Sequence, residues 1–120
     1  MSAREYDRAL KKIRSICLAL PEATEVEAWG HPTFRAGKKM FAAFGKGPEG
    51  ISLGLKVGFD RQEQLLKDDR FFPTPYAARQ GWVSLRINAM TDWREVEKLV
   101  REAYRQTALK RMIQALGHSG

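Results

Sequence analysis

The sequence contains a single cysteine, Cys17, so no internal disulfide can form, and a reducing cytoplasm is the compartment that suits such a chain best. Histidine is almost as scarce, with His31 and His118 as the two examples. A metal site needs three or more converging ligands, so no metal is expected, and no other cofactor either. No apolar run approaches the roughly 18 residues of a membrane crossing, so no membrane partner is expected. The opening stretch "MSAREYDRALKK" carries charge where an export signal would carry its apolar segment, and none is expected. The glycine-rich "GKGPEG" of residues 45–50 lacks the spacing of a phosphate-cradling loop, and no strand-to-helix transition follows it. Paired carboxylates are missing from the predicted strands, and Glu22, Glu25 and Glu27 read as a solvated turn. Hydrolysis therefore has no evident machinery, and the chain is not expected to be an enzyme.

What is present is a chain of 120 residues, 43% hydrophobic and 29% charged, the balance of one ordinary globular domain spanning residues 1–120. Its net charge of +7 is unevenly spread. Residues 1–29 balance at five basic and five acidic groups, whereas residues 30–58 hold Arg35, Lys38, Lys39, Lys46 and Lys56 against Glu49, a local +4. Residues 59–69 give −2, residues 70–90 give +3, residues 91–107 balance, and the tail adds +2. A local excess of one sign points to a partner of the other sign, and here the excess falls mainly in the middle of the chain.

Tyr6, Leu10, Ile13, Cys17 and Leu20 recur at steps of three and four, which lines one face of a helix that Pro21 stops. "ISLGLKV" at 51–57 and "WVSLRIN" at 82–88 alternate strictly, as half-buried strands of an antiparallel sheet do. "TFRAGKKMFAAFG" reads as a hairpin turning at Gly37 and Lys38, with two registers open: a two-residue turn or a three-residue loop that swaps the facing of the second strand. "GKGPEG" reads as a mobile turn into the next strand. Asp60 and Asp92, each followed three residues later by a glutamate, predict capped helix starts. The second of these helices presents Trp93, Val96, Val100, Ala103 and Thr107, with Leu99 and Tyr104 beside them, as a broad apolar stripe, and residues 108–116 could prolong it. "FFPTPYAARQGW" is too rich in proline for a central strand, although "YAARQ" could pair briefly with the strand that follows. The expected order is α-β-β-β-α-β-β-α, a two-layer α+β domain with helices covering one face of an antiparallel sheet.

"LPEATEVEAWGHPTFRAGKKMFA", "FFPTPYAARQGWVSLRI" and "DWREVEKLVREAYRQTA" resemble, in wording and order, the MmcQ/YjbR family of small bacterial proteins. The likeness spans about residues 8–110 and is carried most specifically by "GHPTFRAGKKMFA" and "PYAARQGWVSL". It implies a two-layer α+β fold of the same element order. It also implies the label DNA-binding, which members carry because their fold is similar to double-wing DNA-binding domains.

Read on their own chemistry, the candidate residues divide into three groups. His31 could serve as acid, base or ligand, but a histidine between Gly30 and Pro32 more often fixes a corner through a ring hydrogen bond, so Trp29, His31 and Pro32 are read as structural. Cys17 and His31 could pair as a nucleophile and base only if helix and corner met, and a cysteine in an apolar stripe is usually buried and inert. Arg35, Lys38, Lys39, Lys56, Arg79 and Arg86, with Trp82 available to stack, suit a nucleic-acid backbone bound with little sequence preference and in a salt-sensitive way. The rival from another class is a protein-interaction or dimerisation module using the outer face of the sheet or an unpaired edge. A cleft of His31, Tyr76 and Arg79 is the place where an enzyme reading would have to live.

Overall fold

The computed structural model describes residues 3–117. His118 lies outside the described residues. The chain runs through helix α1 (Ala3–Leu18), strands β1 (Ala23–Ala28), β2 (His31–Ala36), β3 (Lys39–Gly47) and β4 (Gly50–Lys56), and helix α2 (Phe59–Leu65). Strand β5 (Phe71–Pro73), a 3-10 turn at Ala78–Gln80, strand β6 (Trp82–Arg86) and helices α3 (Trp93–Thr107) and α4 (Lys110–Leu116) complete it. Six strands make one sheet in the order β1-β2-β3-β4-β6-β5, and each neighbouring pair is antiparallel. This is the expected α+β class, with one strand and one helix more than the sequence reading supplied.

The apolar stripes explain the layering. Leu10, Ile13 and Cys17 of α1 and Val96, Leu99, Val100, Ala103 and Tyr104 of α3 are buried, as are Phe34, Phe44, Leu53, Leu55 and Val83, which alternate onto one side of the sheet. Each such side chain removed from water contributes roughly 1.5–3 kcal/mol. The Tyr104 hydroxyl donates to Pro21 O at 2.6 Å, so α3 is tied to the segment between α1 and β1. The Asp92 cap is present, its carboxylate accepting from the backbone N–H groups of Arg94 and Glu95.

Several expectations need correction. The segment read as a solvated turn, residues 22–27, is largely the edge strand β1. Its glutamates hid it, yet Glu25 faces the helix layer and pairs with Arg14 of α1 at 2.7 Å. Asp60 does not cap α2, whose N-cap is Gly58 with no side-chain hydrogen bond. The hairpin turn is two residues, Gly37–Lys38, because Ala36 pairs with Lys39. A bulge in β3 then shifts the register, so Phe34 pairs with Ala42 and both face the core, the parity that a longer loop would have produced. Residues 45–50 are the tip of the β3–β4 hairpin rather than a separate linker, with Gly47 paired to Gly50. It is Phe71–Pro73, not "YAARQ", that pairs with β6. Ala108 and Leu109 take extended conformations, which makes α4 a separate helix.

Candidate functional site: the open face of the sheet

Because directly paired residues share a face, the register lays out the side opposite the helices as three rows across the strands. The central row runs Val26, Thr33, Ala43, Gly54, Ser84, Phe72. These are mostly small groups, and Thr33 and Ser84 are satisfied locally by Val26 O and by the Thr74 hydroxyl, the latter at 2.8 Å. Toward one end stand Arg35 with Met40, and Lys56 with Trp82. Toward the other stand Ala28 with His31, Gly45 with Ser52, and Ser52 with Arg86.

The two ends differ in how their cations are held. Arg86 is held within the chain: its guanidinium donates to Glu49 at 2.6 Å and to Asp69 O at 2.6 Å, and lies 4.8 Å over the Phe72 ring. At the opposite end, Arg35 and Lys56 have no ion-pair partner among the described residues, and Nε of Arg35 is buried without a hydrogen-bond partner. Lys38 and Lys39, exposed at the β2–β3 turn, and Arg79, exposed on the 3-10 turn that leads into β6, belong to this same end and are likewise unpaired. By contrast Arg14, Arg61, Arg70, Arg101 and Arg111 each meet a carboxylate. Five of the six basic residues expected to act together are therefore brought to one end of the sheet, and Arg86 is set apart.

Trp82 is also on this face but is 6% exposed, its ring packed on the backbone of Gly54, so it offers no free surface for stacking. The Trp29–His31 segment is not a packed corner. It is the tip of the β1–β2 hairpin, with Ala28 paired to His31 and positive φ at both Trp29 and Gly30, as a tight hairpin turn requires. Trp29 is 87% exposed. The His31 ring makes no hydrogen bond among the described residues and lies flat over Gly45, with Nδ1 2.5 Å from where a Cβ would stand there. Only glycine allows that approach without moving the ring.

Nothing gathers the enzyme candidates. Cys17 is buried in the helix layer, where desolvation pushes its thiol well above the usual range, and the sheet lies between it and His31. His31 lies at one end of the face, while Tyr76 and Arg79 precede β6 at the other. No group of three or more His, Cys, Asp or Glu suited to a metal occurs among the described residues. No helix among them is long and apolar enough to cross a membrane.

The structure thus defines a class: an α+β protein with helices on one face of an antiparallel sheet and the unpaired Arg35 and Lys56 at one end of the other. The profile of the YjbR family matches residues 18–106, and the chain belongs to that family. The fold is shared with the crystal structure of a Deinococcus radiodurans protein with the DUF419 domain, at 22% identity and a TM-score of 0.71 over 90% of this chain and 87% of that one. A Pseudomonas syringae protein is similar at 18% identity, with a TM-score of 0.64 over 89% of this chain and 99% of that one. No curated protein matches the chain.

Proposed function

We propose that the chain binds nucleic acid through phosphate contacts at the Arg35–Lys56 end of its open face, with little sequence preference. The observation that carries this reading is the contrast between the two ends of the sheet: Arg86 at one end meets Glu49, while Arg35, Lys38, Lys39, Lys56 and Arg79 at the other have no carboxylate within ion-pair distance among the described residues. Cations held together without internal counter-charge raise the local potential and favour a polyanion. The small residues of the central row, Ala43 and Gly54 among them, let a backbone come close. Arg86 and Trp82 leave the contact set that the sequence suggested, because one is already paired and the other is buried.

The test is retention of duplex DNA at low salt by the double variant Arg35→Glu/Lys56→Glu. Loss of retention with an unchanged thermal unfolding curve supports the reading; retention equal to wild type removes it. A second reading, strand addition at the open edge of β1 by another copy or a protein partner, is favoured by the exposed Val26 on that edge. Light scattering at micromolar to millimolar concentration reads it, with a dimer as the supporting result and a monomer throughout as the opposing one.

A further inference from the structure

Three non-glycine residues among those described adopt positive φ: Glu22, Trp29 and Tyr76. Glu22 is held by Arg111 at 3.0 Å. The other two are aromatics that the fold does not use, since Trp29 is 87% exposed, Tyr76 is fully exposed, and neither has a ring partner or hydrogen bond among the described residues. A bulky side chain in the left-handed region is strained, and glycine would occupy either position at lower cost. Folding therefore gains nothing from these rings.

Their placement relates them to the open face. Trp29 is the tip of the β1–β2 hairpin, beside the Ala28–His31 pair. Tyr76 is in the loop after β5, a loop fastened to that face by the Thr74–Ser84 hydroxyl bond and to α2 by Gln62 donating to Ala78 O at 2.8 Å. The two rings thus stand at diagonal corners of the sheet, Tyr76 at the end that carries Arg35 and Lys56 and Trp29 at the other. The sheet itself offers no open ring, because Trp82 is buried and Phe72 is covered by the Arg86 guanidinium.

We propose that Trp29 and Tyr76 are stacking anchors for unpaired bases, so that the preferred ligand of this face is single-stranded nucleic acid. The inference rests on the phosphate reading above. Bases in a duplex are already stacked on one another, whereas a single strand presents free faces that an exposed indole or phenol can cover, and stacking tolerates any sequence. A protein pocket receiving Trp29 is the competing occupant, and the unpaired Arg35 and Lys56 on the same face, at the Tyr76 end, favour the polyanion over it.

The experiment titrates a short oligothymidylate and a duplex of the same length against wild type, Trp29→Gly and Tyr76→Gly, following tryptophan emission and affinity. Glycine suits positive φ, so both variants are expected to melt at or above the wild-type temperature, which separates lost binding from lost folding. The expected result is tighter binding of the single strand, quenching that disappears in Trp29→Gly, and a loss of about tenfold or more in single-strand affinity for each variant with duplex affinity unchanged. Equal single-strand affinity in wild type and both variants overturns the stacking role while leaving the phosphate reading intact. Failure of wild type to bind either probe overturns both.

Discussion

On its helix side the sheet carries Phe34, Phe44, Leu53, Leu55 and Val83, none of them in appreciable contact with water. On its open side the same strands carry Thr33, Gly45, Ser52, Gly54 and Ser84, with Arg35 and Lys56 toward one end and Arg86 toward the other. The covered side is a close-packed layer, where position is dictated by fit. The open side is further divided: Arg86 meets Glu49, Asp69 O and the Phe72 ring, while Arg35 and Lys56 have no counter-charge among the described residues. The lesson is that positive charge on a sheet face has two different uses, one stabilising a hairpin and one left available, and that the neighbouring carboxylates tell them apart.

The sharpest way to break this comparison is on the covered side. Phe41 is fully buried and meets Tyr104 edge to face at 5.5 Å, so Phe41→Ala is expected to cost about 3–5 kcal/mol in chemical denaturation. A cost below about 1 kcal/mol would mean that this layer is not close-packed. At the closed end of the open side, Arg86→Ala leaves Glu49 unpaired at a half-exposed site and is expected to cost about 1 kcal/mol or less, with nucleic-acid affinity nearly unchanged. A large loss of affinity in that variant would erase the distinction between the two ends.

The smallest expected effect concerns acid. Hydrogen bonds from the Arg70 side chain and backbone hold Asp68 down to about 2, and its folded value is therefore below its unfolded one. The stability this contributes is present above about pH 4 and is lost as pH falls toward 2. Glu22, lowered by Arg111, acts in the same direction. Thermal melts between pH 5 and pH 2 should fall steadily for wild type and less steeply for Asp68→Asn; identical slopes would contradict the assignment.

Much of the covered side was legible in the sequence, because alternation at 51–57 and 82–88 and the stripes of α1 and α3 are records of burial. Strand β1 was not, since Glu25 and Glu27 look solvated until Arg14, eleven residues upstream, is seen to meet Glu25. The open side was legible as a list of cations but not as a pattern of pairing. Glu49 lies 37 residues from Arg86 in the chain, and only the adjacency of β4 to β6 brings them together. Trp29 carried a usable signal, a large aromatic just before glycine at a turn, yet its exposure depended on β1 being a strand.

Salt dependence of duplex DNA binding addresses the central claim most directly, because counterion release counts the phosphates that cations neutralise. With Arg35, Lys56 and one lysine of the β2–β3 turn engaged, log K against log salt should have a slope of about −2.7, becoming shallower by about 1.8 in Arg35→Gln/Lys56→Gln and staying unchanged in Arg86→Gln. The same slope in wild type and in the Arg35→Gln/Lys56→Gln protein would contradict the account.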